Sequence, residues 1–132
     1  MAMTDPVADM LTRIRNAGLS RLERVEIPVS RIKIHIAEIL KQEGFVLDYR
    51  VAEEGYRGTI TVDLRYDENR KLAIKELNRL SKPGRRIYAS CDAIPQIRNG
   101  LGICIVSTSQ GMMTDKEARR RRIGGELVCS VW

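Results

Sequence analysis

The sequence predicts an α+β fold, in which helices and strands alternate in the first half and short strands dominate the second. Apolar residues recur at helical spacing in two early segments and at strand spacing in Thr59–Arg65. A length of 132 residues allows one domain or two small ones. Charge favours a division, because residues 1–66 contain ten basic and ten acidic residues, whereas residues 67–132 contain thirteen and seven. We therefore predict an amino-terminal α/β domain, residues 1–66, and a mainly β carboxyl-terminal domain, residues 67–132.

The first half is predicted to run helix–strand–helix–strand–strand, with the helix pair covering one sheet. Thr4 and Pro6 suit the start of the first helix, because a capping side chain often precedes proline at the first helical position. Ser30 is expected to cap the second helix and Gly44 to end it. The other segments are predicted to be strand Arg24–Pro28, strand Phe45–Val51, turn Glu54–Gly58 and strand Thr59–Arg65.

The second half is predicted to consist of short segments separated by glycine and proline. Leu72–Leu80 is ambiguous, since its leucine spacing suits a helix but a strand is also compatible. Thr114 is expected to cap a short helix, Asp115–Arg122, with Glu117 in its first turn. The other segments are predicted to be turn Lys82–Gly84, strand Arg86–Ser90, a helical turn and loop Ile94–Gly100, strand Gly102–Val106 and strand Leu127–Trp132.

Several functional classes are not supported by the sequence. Cys91, Cys104 and Cys129 form no CxxC pair and His35 is the only histidine, so we expect reduced thiols and neither metal nor other cofactor. The start of the chain lacks the layout of a signal peptide, and no apolar run is long enough to span a membrane. We expect a location in the cytoplasm or an organelle matrix. A serine nucleophile would need a nearby base, and His35 lies in the other half of the chain, so we predict no enzymatic activity.

The segment Ser107–Asp115 is the strongest candidate for a binding site. Its sequence, STSQGMMTD, follows the apolar run Leu101–Val106 and precedes four consecutive arginines, Arg119–Arg122. Hydroxyl and backbone N–H groups can read sugar and base edges, while arginines hold phosphates. The simpler alternative is a turn whose hydroxyls satisfy its own backbone. The one-sided charge of +6 favours a nucleic-acid partner over a merely solvated basic surface.

Two groups of cations in the first half are weaker candidates. Arg13 and Arg15 lie near the end of the first helix, where they can either favour the helix dipole or contact phosphate. Arg31 and Lys33 lie in the first turn of the second helix, where the dipole disfavours cations. That position hints at an external anion.

Ordered motifs along nearly the whole chain resemble the bacterial family of small-subunit ribosomal protein eight. The set is specific because the motifs occur in the family's order. They are DPVADMLTRIRNA (5–17), PVSRIKIHIAEILKQEGF (28–45), KPGRRIY (82–88), IPQIRNGLGI (94–103), STSQGMMTDKEAR (107–119) and GGE (124–126).

The resemblance implies two closely packed α+β domains and binding to the central domain of small-subunit ribosomal RNA, early in subunit assembly. It also implies neighbouring ribosomal proteins as partners, a strand at Leu72–Leu80, and, in some members, repression of translation through binding to messenger RNA. The main RNA contact would use Tyr88, Ser107, Thr108, Ser109, Gly124, Gly125 and Glu126, and a second contact would use Thr4, Ser30, Arg31 and Lys33. Arg119 and Arg120 are added as candidate phosphate ligands.

Two of these residues have alternative roles. Tyr88 is expected either to stack on an unpaired base or to pack in the core with its hydroxyl at the surface. Glu126 is expected to accept from a base amino group, to orient Arg119 or Arg120, or simply to begin a strand.

Four positions depart from the family pattern. Gln110 stands where a lysine or arginine is usual, which removes one expected phosphate contact. Arg121 and Arg122 stand where small residues are common, and Arg122 is expected to strain a glycine-type backbone. Ser130 replaces a common aromatic residue.

Overall fold

The computed structural model describes residues 5–54 and 57–132, which divide into two compact units. One unit spans residues 6–74, and the other spans residues 75–132 together with Asp5. Each contains helices and antiparallel sheet, so the predicted α+β class is confirmed. The boundary between residues 66 and 67, as a boundary between domains, stays a prediction.

The amino-terminal unit follows the predicted order of helix–strand–helix–strand–strand. Its three strands form an antiparallel sheet in the order β1-β3-β2. Helix α1 contacts β1, and helix α2 contacts β2 and α1. The elements are α1 (Pro6–Leu19), β1 (Arg24–Pro28), α2 (Arg31–Gln42), β2 (Val46–Glu54) and β3 (Arg57–Leu64).

Local signals in the sequence account for the limits of helix α2. The Ser30 hydroxyl accepts a hydrogen bond from the Lys33 N–H at 3.4 Å, as an N-cap does. Gly44 follows the helix with φ of +79°, which favours glycine. Ile36, Leu40 and the corresponding apolar face of α1 are buried, and His35 is exposed.

The paired strands β2 and β3 extend further than predicted. Glu54 and Gly58 were expected in a turn, but both lie in strands, with Glu54 paired to Arg57 and Glu53 to Gly58. Backbone pairing therefore extends beyond the alternating apolar pattern, because ladder hydrogen bonds do not require apolar side chains. Residues 55 and 56 lie outside the described residues.

The carboxyl-terminal unit is mainly β with one short α-helix among its described residues. Its strands follow the order β4-β8-β6-β7, and β5 also pairs with β8. Helix α3 packs on one face, where it buries Ala118 against Cys104, Val106, Met113 and Leu127. The elements are β4 (Leu77–Arg79), β5 (Tyr88–Ala89), a 3₁₀ turn (Arg98–Gly100), β6 (Ile103–Thr108), β7 (Gly111–Thr114), α3 (Asp115–Arg121) and β8 (Gly125–Val131).

The structure corrects several segment limits in this unit. Leu72–Leu80 was expected to be a strand, but the strand within it is limited to Leu77–Arg79, which pairs with β8, whereas Leu72 bridges to Tyr66. The strand expected at Arg86–Ser90 is reduced to Tyr88–Ala89. Strand β7 was not predicted, because the segment GMMT lacks the apolar–polar alternation that marks a half-buried strand. No helix in the described part of the chain is long and apolar enough to cross a membrane.

Candidate nucleic-acid interface

Three strands of the carboxyl-terminal unit place Tyr88, Glu126 and Ser107 on one line across the sheet. Tyr88 of β5 is directly opposite Glu126 of β8, which is directly opposite Ser107 of β6. Such directly opposed residues project from the same face of an antiparallel sheet. Tyr88 is 70% exposed, so its expected alternative role in the core is wrong. An aromatic ring, a carboxylate and a hydroxyl are thus neighbours on one face, which we call the Tyr88–Ser107 line.

Glu126 is held by an arginine that the sequence did not single out. Arg86 Nη1 donates to Glu126 Oε2 at 3.0 Å. The expectation that Glu126 orients Arg119 or Arg120 is wrong, because both of those side chains pair with carboxylates of their own helix. A carboxylate accepts several hydrogen bonds, so a base amino group remains a possible further donor to Glu126. The only sequence signal for Arg86 is its place in the KPGRRIY motif.

Gly124 and Gly125 allow the backbones of three strands to approach closely. A Cβ at Gly125 would collide with the Ser107 carbonyl oxygen, and a Cβ at Gly124 would collide with the Ala89 carbonyl oxygen. These glycines therefore hold β6 and β5 against β8 at the level of the Tyr88–Ser107 line. Close strand packing is a structural reason for both residues, independent of any RNA contact.

The turn between β6 and β7 divides the three consecutive hydroxyls into different roles. Thr108 Oγ1 donates to the Gly111 carbonyl at 2.7 Å and accepts from the Gln110 N–H at 3.0 Å. Thr108 therefore satisfies the backbone of its own turn, as the simpler alternative required. Ser107 and Ser109 make no side-chain hydrogen bond within the described part of the chain, and Ser109 is exposed. These two hydroxyls can bond to a partner.

A buried ion pair fixes helix α3 to the sheet. Asp115 is fully buried, and its Oδ1 accepts from the Cys104 N–H of β6 at 3.0 Å. Its Oδ2 lies 2.7 Å from Arg119 Nη2, an ion pair without the alignment of a hydrogen bond. The same Nη2 donates to the Pro95 carbonyl at 3.0 Å. Arg119 is thus occupied by the protein itself.

The next two arginines share one carboxylate. Glu117, whose N–H donates to the Thr114 cap at 3.3 Å, pairs with both Arg120 and Arg121. Hydrogen bonds from Arg120, the larger contribution, and from Arg121 lower the pKa of Glu117 to about 2. The carboxylate is therefore ionised at neutral pH, and the two arginines leave a net positive charge. Arg121 Nη1 also donates to Gln110 Oε1 at 3.3 Å, which links α3 to the β6–β7 turn.

Comparison with known proteins identifies the family to which this chain belongs. The sequence profile described as ribosomal protein S8 matches residues 5–132. The chain belongs to the ribosomal protein S8 family. It is similar to proteins named small ribosomal subunit protein uS8 from three organisms. The identities, all over 132 residues and the full length of both chains, are 52% with Anaeromyxobacter sp. (strain K), 54% with Lactobacillus delbrueckii subsp. bulgaricus and 49% with Geobacter sulfurreducens.

Membership of the S8 family confirms two expectations from the sequence. The resemblance carried by the ordered motifs is correct over the full chain. The S8 family is structural and non-enzymatic, which confirms that the protein is not an enzyme. The hydroxyls of the β6–β7 turn are therefore candidate binding groups and not nucleophiles.

The second contact predicted for this S8 protein has one buried member. Lys33 is only 5% exposed, and its Nζ donates to the Pro28 carbonyl at 2.8 Å. Burial lowers the pKa of Lys33, since it disfavours the charged form. Ser30 is occupied as the helix cap, whereas Arg31 is exposed. Thr4 lies outside the described residues.

The S8 positions that depart from the family pattern have distinct structural consequences. Arg122 caps α3 with φ 56° and ψ 44°, the left-handed conformation expected for it. Gln110 and Arg121 are hydrogen-bonded to each other across the β6–β7 turn. Ser130 is 6% exposed on β8. The first three departures therefore cluster around the turn and the end of α3.

The cysteines are free thiols with different exposure. Cys104 and Cys129 are buried, and burial raises the pKa of each to about 12, with the Asp115 carboxylate adding to the effect on Cys104. Cys91 is half-buried. Within the described residues, no cluster of three or more His, Cys, Asp or Glu side chains suits a metal ion.

Proposed function

We propose that this S8 protein is a structural constituent of the small ribosomal subunit that binds the central domain of its ribosomal RNA and supports assembly. The observation that carries the proposal is the Tyr88–Ser107 line, where three strands present an exposed ring, a carboxylate and a hydroxyl on one face. The similar proteins named small ribosomal subunit protein uS8 support the ribosomal role.

The chemistry of the line suits irregular RNA. The major groove of A-form RNA excludes side chains, whereas its shallow minor groove displays 2′-hydroxyls and base edges. The Ser107 and Ser109 hydroxyls can bond to those groups, and Glu126 can accept from a base amino group. The exposed Tyr88 ring can stack on an unpaired base, a contact worth about 1–3 kcal/mol. Shape and sugar contacts would thus provide most of the specificity.

Charge supports the proposal without determining the site. Residues 67–132 hold the whole excess of positive charge, and Arg120, Arg121 and Arg122 are exposed around the end of α3. Such a surface attracts a phosphate backbone and makes binding sensitive to salt. Gly124 and Gly125 contribute by holding the strands together, and Thr108 by shaping the turn.

A second RNA contact is proposed for the start of helix α2. Arg31 is the exposed cation there, so it is the residue that can reach a phosphate. Lys33 would act indirectly, because its ammonium group donates to the carbonyl of Pro28, the last residue of β1. Thr4 and Ser30 complete the proposed set, and neighbouring small-subunit proteins in a bacterial cytoplasm are the expected surroundings.

The test compares Tyr88→Ala and Ser107→Ala with Tyr49→Ala in binding to a fragment of the ribosomal RNA central domain. Tyr49 is a half-buried ring on β2, outside the proposed surface, and serves as a matched control. We expect Tyr88→Ala to weaken binding about 10-fold, Ser107→Ala about 3-fold or more, and Tyr49→Ala little. Equal affinities for the parent protein and the three variants would contradict the proposed site.

A second measurement addresses the alternative that the same surface represses translation of a messenger RNA. Crosslinking in cells followed by sequencing of the bound RNA should return mainly ribosomal RNA. Predominantly messenger reads that are lost in Tyr88→Ala would favour the regulatory role.

A further inference from the structure

We infer that Arg121 is an RNA phosphate ligand of the β6–β7 turn, held in place by Glu117 on one side and Gln110 on the other. The inference rests on the proposed RNA-binding function and adds one residue to it. Arg121 Nε donates to Glu117 Oε1 at 2.7 Å, and its Nη1 donates to Gln110 Oε1 at 3.3 Å. A side chain of helix α3 is thereby placed at the turn that also carries Ser109.

Two contacts preorganise the guanidinium and leave much of it available. The group has five N–H donors, of which Glu117 and Gln110 engage one each. The side chain is 43% exposed, so the remaining donors can reach solvent or a ligand. A planar guanidinium with a free edge matches the oxygens of a phosphate in a bidentate arrangement. Preorganisation lowers the entropy lost on binding.

Charge balance at α3 favours an anion at this place. Glu117 stays ionised at neutral pH because its two arginines hold its pKa near 2, and it neutralises only one of them. Arg119 is compensated by the buried Asp115. An excess positive charge therefore remains beside the turn, and a phosphate would neutralise it.

The four consecutive arginines differ in what they can contact. Arg119 is bound to the sheet side of the helix by Asp115 and the Pro95 carbonyl. Arg120 pairs with Glu117, but none of its contacts in the described structure reaches the turn. Arg122 supplies the left-handed cap. Among the contacts of the described residues, Arg121 is the one arginine of the four whose side chain bonds to a turn residue, so the tertiary structure distinguishes it within a uniform run.

Arg120→Gln provides a matched control for Arg121→Gln, because each substitution removes one charge and one ion pair with the same carboxylate. Affinity for the central-domain RNA fragment is measured against salt concentration for both variants and the parent. We expect Arg121→Gln to reduce the slope of log affinity against log salt by about 0.7–0.9, the value for one phosphate contact. Arg120→Gln should reduce it by less than half as much. Equal reductions in the two variants would overturn the inference.

Moving the positive charge from position 121 to position 110 distinguishes phosphate binding by Arg121 from a purely structural role. In Gln110→Lys/Arg121→Gln the cation is moved from the helix to the turn, so the salt slope should recover to the parent value. Arg121→Lys should also keep the slope, since the charge is retained. If neither variant keeps the slope while thermal unfolding is unchanged, Arg121 does not act as a phosphate ligand.

Failure of this inference can be distinguished from failure of the proposed function. If Arg121→Gln binds with the parent's affinity and slope while Tyr88→Ala weakens binding, only the inference on Arg121 fails. If the parent protein shows no salt-dependent binding to the RNA fragment, the RNA-binding proposal itself fails.

Discussion

Gly125 lies so close to Ser107 on the neighbouring strand that any side chain at position 125 would collide with the Ser107 carbonyl oxygen. The contact brings β8 and β6 together at the level of Glu126, and β5 joins from the other side of β8. The spacing of the Tyr88–Ser107 line therefore depends on the absence of a Cβ.

Gly125→Ala is expected to destabilise the protein by about 1–3 kcal/mol, the usual cost of overpacking. It should also weaken binding to the RNA fragment, because β6 must move away from Glu126 to relieve the collision. Chemical denaturation and affinity measurements test both effects. Ser109→Ala, at an exposed turn position, should change stability by less than about 0.5 kcal/mol. A variant Gly125→Ala with unchanged stability would contradict the close approach.

Arg122→Gly is expected to stabilise the protein by about 0.5–1 kcal/mol, the relief of left-handed strain less the entropic cost of glycine. Arg122 adopts φ 56° and ψ 44°, a conformation that costs a residue with a Cβ more than it costs glycine. Thermal unfolding provides the measurement. Arg120→Gly is the contrasting control, because it introduces glycine at a helical position in the last turn of α3 and should lower stability. The prediction fails if both substitutions change stability in the same direction.

Asp115→Ala is expected to destabilise the protein by about 3–5 kcal/mol, since it leaves the Cys104 N–H and the Arg119 guanidinium without their buried partner. Glu117→Ala removes a carboxylate from the same helix, but its ion pairs are exposed and its effect on stability should be much smaller. Urea denaturation measures the loss of unfolding free energy in the two variants. Similar losses would show that burial of Asp115 does not determine its contribution.

Glu117 is expected to titrate with a midpoint near pH 2, well below the usual value for glutamate. Because its folded-state pKa is depressed, its stabilising contacts are present at neutral pH and are lost as pH falls from about 4.3 towards 2. Carbon NMR of the carboxyl group measures the midpoint directly. In Arg121→Gln, the pKa of Glu117 should move upwards, since one of its two donors is lost.

Cys91 is expected to react first with a thiol reagent in the native protein at pH 8. Burial holds Cys104 and Cys129 as neutral thiols with pKa values of about 12, and it also blocks access to them. One thiol should therefore react rapidly before denaturation and all three after it. Substitution Cys91→Ser should remove the rapid phase. Rapid modification of a second cysteine would contradict the described core.

Local sequence signals were sufficient for much of the fold and for the family. Ser30, Thr114 and Gly44 mark helix ends because capping depends on residues a few positions apart. The order of elements in the first half follows from periodicity for the same reason. Strand β7 escaped prediction because the segment GMMT lacks apolar–polar alternation, and the limits of β4 escaped it because its pairing partner, β8, lies far along the chain.

The sequence by itself determined the helices of both units, the excess of positive charge in the second half and the residues of the candidate surface. Only the tertiary structure decided which of those residues can meet a ligand. Arg119 and Arg121 are equivalent in a run of arginines, yet one pairs with a buried carboxylate and the other reaches Gln110. Lys33 is a cation in the sequence and a buried donor to Pro28 in the fold. The physical reason is that charge and hydrogen-bonding capacity belong to each residue, whereas their availability depends on partners brought close by folding.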